Sequence, residues 1–174
     1  MSGPVGHEVV VGVVGTADGQ RAVRYALREA GRRGQAVRLV HAWSDPAVIA
    51  PRMPYAPDPA LRERGAEMLF AAEREARAWG FEPARISSAL VNGPRVGALL
   101  GNLRDASCVV KGPRSPGRTR HGGSTTNAMA TRSLVPVHCV PAAWDPAVPC
   151  PVVVLPILRS AVRPLGQATT AATA

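Results

Sequence analysis

From Lys111 to Thr125 the sequence reads Lys-Gly-Pro-Arg-Ser-Pro-Gly-Arg-Thr-Arg-His-Gly-Gly-Ser-Thr, with four cationic side chains and no acid. This is the composition of an anion site. Arginine forks bond phosphate oxygens in pairs, and Gly123 permits a sharp backbone turn. Ser124 or Thr125 can cap a helix running to about Ser133, whose unpaired first N–H groups point at whatever anion sits there. A solvated connection between a strand and a helix is the plain alternative, and this stretch alone leaves both open.

Other chemistry finds less support. There is no GxxxxGK[ST] loop and no GxGxxG, because Gly12, Gly15 and Gly19 are wrongly spaced. His7, His41, His121 and His138 lack ligand spacing, so no metal site is expected. His41 and His138 fall on expected strands and read as satisfied core or strand-end residues. Ser124 with His121 has no partner acid, as a nucleophilic triad would require. Cys108, Cys139 and Cys150 are odd in number and form no CxxC, which suits free thiols in a reducing cytosol. The expectation is a protein without enzymatic activity.

The elements that must position the basic loop alternate. Glu8 to Val14 reads as a first strand, apolar on both faces. Gly15 to Gly19 is a turn with cap chemistry, and a helix follows to about Arg33, stopped by Gly34. Val37 to Trp43 is the second strand, and the crossover from Ser44 to Pro57 holds four prolines. Asp58-Pro59 opens a long helix with Leu61, Met68, Leu69, Ala72 and Ala76 as its apolar stripe and Phe70 and Trp79 packing at its margins. Arg85 to Val91, a helix with Val96, Leu99, Leu100 and Leu103, a fourth strand around Cys108 to Val110, and a fifth from Val135 to Val140 complete the alternation. Such a pattern predicts a three-layer, doubly wound α/β domain with a parallel sheet. Ligands bind such sheets at the strand carboxyl ends, near the point where strand order reverses.

At 174 residues and 46% hydrophobic, the chain is expected to form one core. We divide it into a domain over 1–143, an extension over 144–165 holding an edge or dimer strand at Val152 to Leu155, and a disordered tail over 166–174. No apolar run approaches the ~20 residues of a membrane span. The first eight residues lack the basic and apolar regions of a secretory signal, so a cytoplasmic location is expected. The net charge of +9 raises nucleic acid as a partner. Aromatic residues are only 4%, which leaves few stacking platforms and argues against it. Position matters more than total: no acid lies between Asp105 and Asp145.

The ordered set Val9-Val-Val-Gly-Val-Val-Gly-Thr16, Arg38-Leu-Val-His-Ala42, Val91-Asn-Gly-Pro-Arg-Val-Gly-Ala-Leu-Leu100, Val109-Val-Lys-Gly112, Gly123-Ser124 and Pro136-Val-His-Cys-Val140 resembles a universal stress protein domain. The resemblance implies a five-stranded, Rossmann-like sheet of order 3-2-1-4-5 and a homodimer formed through the last strand. One branch of that family binds ATP with magnesium and another does not. Carried over by position, adenine and ribose would lie near Gly12, Val13, Ala42, Lys111 and Gly112. The phosphates would lie near Arg114, Ser115, Gly123, Ser124 and Thr125.

Three positions depart from the ATP-binding pattern, which reads G-x2-G-x9-G-[S/T] after the fourth strand. The acid at the end of the first strand is Val14, the second loop glycine is Ser115, and only seven residues separate Ser115 from Gly123. The resemblance with these departures implies a stress-response regulatory or binding module with a weak or vestigial ATP site and a protein partner of unstated kind. The alternative is an ATP or AMP sensor in which Arg118 and its neighbours replace the missing contacts.

Overall fold

The computed structural model describes residues 7–44, 58–113, 125–147 and 153–155. Strand β1 (Glu8–Gly12) leads to helix α1 (Ala17–Arg33) and strand β2 (Ala36–Trp43). Helix α2 (Pro59–Ala78), a short 3-10 turn (Pro83–Arg85) and strand β3 (Ile86–Asn92) follow. Helix α3 (Arg95–Leu100), β4 (Ala106–Lys111), α4 (Thr125–Arg132), β5 (Val137–Cys139) and β6 (Val153–Leu155) complete the order. The crossover 45–57, the loop 114–124 and the tail lie outside the described residues.

Local chemistry accounts for the helix ends. The Thr16 hydroxyl accepts the Gly19 N–H at the start of α1, and Gly34 closes that helix in the left-handed region at φ 65°. Asp58 accepts the Ala60 N–H ahead of Pro59, and Gly80, at φ 86°, turns the chain after α2. Helix α3 stops sooner than its apolar pattern predicts. Asn102 bonds back to the Ala98 carbonyl at 2.7 Å, while Leu103 is buried beyond the helix end.

The sheet order is β3-β2-β1-β4-β5-β6. The first five strands are parallel, in the order expected, and β6 adds an antiparallel edge on β5. Pleating divides the apolar side chains between two cores. Val9, Val11, Leu39, Cys108 and Val110 pack with α1 and α2. Val10, Val40, Val109 and Val137 pack with Ala98, Leu99 and Met129 of α3 and α4.

Three further details differ from the sequence reading. β1 ends at Gly12 rather than Val14, because the chain turns where Thr16 N–H donates to the Val14 carbonyl. β5 is confined to three residues, bracketed by Pro136 and Pro141, which have no N–H to pair. Phe70 and Trp79 are exposed, not packed at the margin of α2. The buried stripe there is Gly65, Leu69, Ala72 and Ala76, and Phe70, one residue on from Leu69, turns about 100° away from it.

Candidate functional site at the carboxyl ends of the parallel strands

Strand order reverses between β1 and β4, so their carboxyl ends frame the crevice. The register that sets Val11 opposite Val110 brings Gly12 and Lys111 to adjacent strand ends. Val13 N–H donates to the Val40 carbonyl at 2.8 Å, which fastens the end of β1 to β2. Ala42 lies further along β2, half-buried and opposite Val91 of β3. Gly112 follows β4. A Cβ there would stand 3.0 Å from the Asp18 carbonyl, so the backbone of Gly112 rests against the first turn of α1.

The fold therefore brings together Gly12, Val13, Lys111 and Gly112, with Ala42 at the flank. Arg114, Ser115, Arg118, Gly123 and Ser124 lie outside the described residues. Thr125 opens α4. Sequence reasoning took Asp18 and Gly19 for helix-cap residues alone, yet they form the wall facing Gly112. The signal was the close spacing of Gly15, Thr16 and Gly19 after an apolar strand. A Cβ on Gly19 would come 2.3 Å from the Val14 carbonyl, so no larger residue fits without moving the backbone. Asp18 is committed elsewhere, since its carboxylate bonds Arg21 at 2.6 Å.

His41 is a structural residue, as its strand position suggested. Its Nδ1 lies 2.8 Å from the Val13 carbonyl. A carbonyl only accepts, so Nδ1 carries the proton. The ring is wedged over Gly65 of α2, where a Cβ would approach Cδ2 within 2.7 Å. Cys139, paired with Lys111 in the sheet, is half-buried. Burial pushes its thiol above the ordinary range, and the Lys111 ammonium only partly opposes this. It is not a poised nucleophile. Among the described residues no group of three His, Cys, Asp or Glu side chains could hold a metal ion.

A second polar cluster escaped the sequence reading. The Tyr25 hydroxyl lies 2.8 Å from Nδ1 of buried His138. Trp144 stands edge-on to the Tyr25 ring at 5.5 Å, and the Arg28 guanidinium lies 5.0 Å from the Trp144 ring centre. Trp144 is 2% exposed and belongs to the α1-side core, although it stands beyond the fifth strand. Trp144 Nε1 and Arg28 Nε are buried without a hydrogen-bond partner. A hollow of about 490 Å³ between α2 and β3, lined by Ala66, Leu69, Phe70, Glu73, Ser88 and Leu90, includes none of the strand-end residues.

Strand order and layering together define a doubly wound α/β domain of the Rossmann-like kind, with its strand order reversing at the β1 and β4 ends. The family model described as the universal stress protein family matches residues 7–141, and the chain belongs to that family. A universal stress protein from Burkholderia pseudomallei superposes with a TM-score of 0.64 at 21% identity, covering 81% of this chain and 100% of that one. One from Archaeoglobus fulgidus in complex with dAMP gives 0.58 at 24% identity, covering 78% and 98%. Another, in complex with cAMP, gives 0.56 at 22%, covering 78% and 97%. No curated protein matches. None of the described helices is long and apolar enough to cross a membrane.

Proposed function

We propose that this universal stress protein is a non-catalytic, cytoplasmic binding module of the stress response that holds an AMP-type nucleotide weakly. The observation that carries the reading is Val14. It stands just beyond β1, where the resemblance implies a carboxylate, and the nearby acid, Asp18, is already paired with Arg21. A ribose hydroxyl at that position would lose its water partners to an apolar side chain. An unmet hydrogen bond of this kind costs about 1–3 kcal/mol, or roughly ten- to hundredfold in affinity. The backbone cradle of Gly12, Val13, Lys111 and Gly112 supports retention of some affinity, as do the dAMP and cAMP complexes of the related proteins.

A second reading takes Mg-ATP as the ligand, with the arginine loop rebuilding the phosphate contacts. The acid-free stretch between Asp105 and Asp145 favours it. In either reading the downstream partner is another protein or a second copy of this chain.

Calorimetric titration with Mg-ATP, AMP and inorganic phosphate separates the readings. Weak, saturable AMP heat that is indifferent to Arg118→Ala supports the first. Micromolar Mg-ATP binding lost in Arg118→Ala establishes the second. No heat with any ligand at millimolar concentration overturns both.

A further inference from the structure

Strand β3 borders the sheet on the side away from β6. Its inner side pairs with β2, and among the described residues no strand lies along its outer side. Natural sheets guard an open edge with charge, proline or a bulge. Ile86–Asn92 reads Ile-Ser-Ser-Ala-Leu-Val-Asn, without charge or proline, and its register to β2 runs without a bulge. Gly93 N–H donates to the Trp43 carbonyl, so alternation along the strand turns the backbone groups of Ser88 and Leu90 outward. On the α2 side this edge adjoins the hollow that Phe70, 59% exposed, lines together with Ser88 and Leu90.

Helix α2 fixes what can dock there. A Cβ on Gly65 would meet His41 at 2.7 Å and Leu90 at 2.8 Å, and those two residues are register partners, so α2 straddles the seam between β2 and β3. With strands ~4.8 Å apart, a twofold axis just outside β3 and perpendicular to the sheet sets α2 and its mate roughly 9.6 Å apart, within the range of packed helices. Because α2 runs opposite to β3, Phe70, about 7.5 Å along the helix from Gly65, lies roughly two strand positions back from Leu90. That puts Phe70 level with Ser88. Glu63 and Arg77 stand seven positions either side of Phe70, on nearly the same helix face. Arg77 reaches Glu73 only at 3.9 Å, too long for a hydrogen bond. A twofold axis beside Phe70 and Ser88 therefore sets Glu63 of each copy against Arg77 of the other. Level, charge and backbone direction all converge on one axis.

We propose that the β3 edge and the Phe70 face of α2 form a docking surface for a second copy of this chain. β3 pairs antiparallel with its mate, Ser88 opposite Ser88 and Ile86 opposite Leu90, while the two Phe70 rings cover the hollows beside them. The hollow includes none of the strand-end residues, so the proposal stands or falls apart from the functional reading above.

Sedimentation of the full chain at about 10–300 µM tests it. The expected result is self-association that Phe70→Asp weakens at least about tenfold, because two carboxylates then face each other at the axis in place of two rings. Arg77→Glu should weaken it as well, and Glu63→Arg/Arg77→Glu should restore it by exchanging the signs. Association unmoved by Phe70→Asp, or a double exchange no better than Arg77→Glu alone, overturns the proposal. A wild type that stays unassociated also overturns it and leaves the edge to a strand from another protein. If Phe70→Asp fails to fold, Ser88→Cys decides. Facing residues of a hydrogen-bonded antiparallel pair lie about 5.5 Å apart at Cα, within disulfide reach. Oxidation should join two chains through position 88, identified by peptide mass, and absence of that bond overturns the proposal.

Discussion

The Tyr25 hydroxyl and Nδ1 of His138 are 2.8 Å apart in the interior between α1 and β5. Burial holds the His138 imidazole below its ordinary value of 6.5, and the Arg33 guanidinium adds to this, while Glu29 opposes it. The folded protein therefore keeps His138 neutral at pH values where the unfolded chain takes up a proton. The unfolded state binds more protons in that window, so stability falls as the pH drops below 6.5 towards the depressed value. Urea midpoints measured from pH 7.5 down to 5 should decline in the wild type. In His138→Gln, which retains a partner for the hydroxyl, this part of the decline should vanish. An unchanged slope in the variant would assign the acid sensitivity to other groups.

Trp144→Ala removes the ring that Tyr25 and Arg28 enclose. Emptying a fully buried tryptophan site costs about 3–5 kcal/mol, a large share of the ~5–15 kcal/mol that holds a domain together. Thermal and chemical denaturation should both show it. Retention of the wild-type midpoint would mean that residues after β5 contribute nothing to the core.

Gly65→Ala tests the contact between α2 and the sheet. The added Cβ meets His41 Cδ2 at 2.7 Å and Leu90 Cδ1 at 2.8 Å. Alanine favours a helix by roughly 1 kcal/mol over glycine, so propensity alone predicts stabilisation. Overpacking costs about 1–3 kcal/mol, and the His41 bond to the Val13 carbonyl is strained along with it. The expected outcome is a net loss of stability measured by urea unfolding. A gain would show that α2 can move back freely.

Val14→Asp places a carboxylate just beyond β1, beside the candidate cradle. A hydrogen bond to a charged acceptor contributes about 1.5–3 kcal/mol, so AMP affinity should rise at least about tenfold in calorimetric titration. Unchanged weak binding would argue that the limiting defect lies in the loop after β4.

Much of the parallel sheet was legible in the sequence because its signals are local. Val9 to Val11 are apolar on both faces, and Thr16, Gly34 and Asp58 mark helix ends through hydrogen bonds made within a few residues. The Tyr25–His138–Trp144 cluster was not legible, since Tyr25 and His138 are 113 positions apart and no pattern links them. Trp144 read as the start of an extension because it follows the last parallel strand, yet it completes the core. At the site, Lys111 and Gly112 could be placed from the strand they end, whereas the wall at Asp18 and Gly19 depends on how closely α1 approaches Gly112, a tertiary distance.

The central position of β1 has a consequence for a chain growing on the ribosome. Glu8 is paired with Ala106, 98 positions later, while its other neighbour β2 is made early. At about 5–20 residues per second, roughly 5–20 s pass between synthesis of the apolar Val9–Val11 run and arrival of the strand that covers its second edge. For that interval the nascent chain displays an unpaired hydrophobic edge, and a holding chaperone that recognises short valine-rich segments has its natural opportunity there.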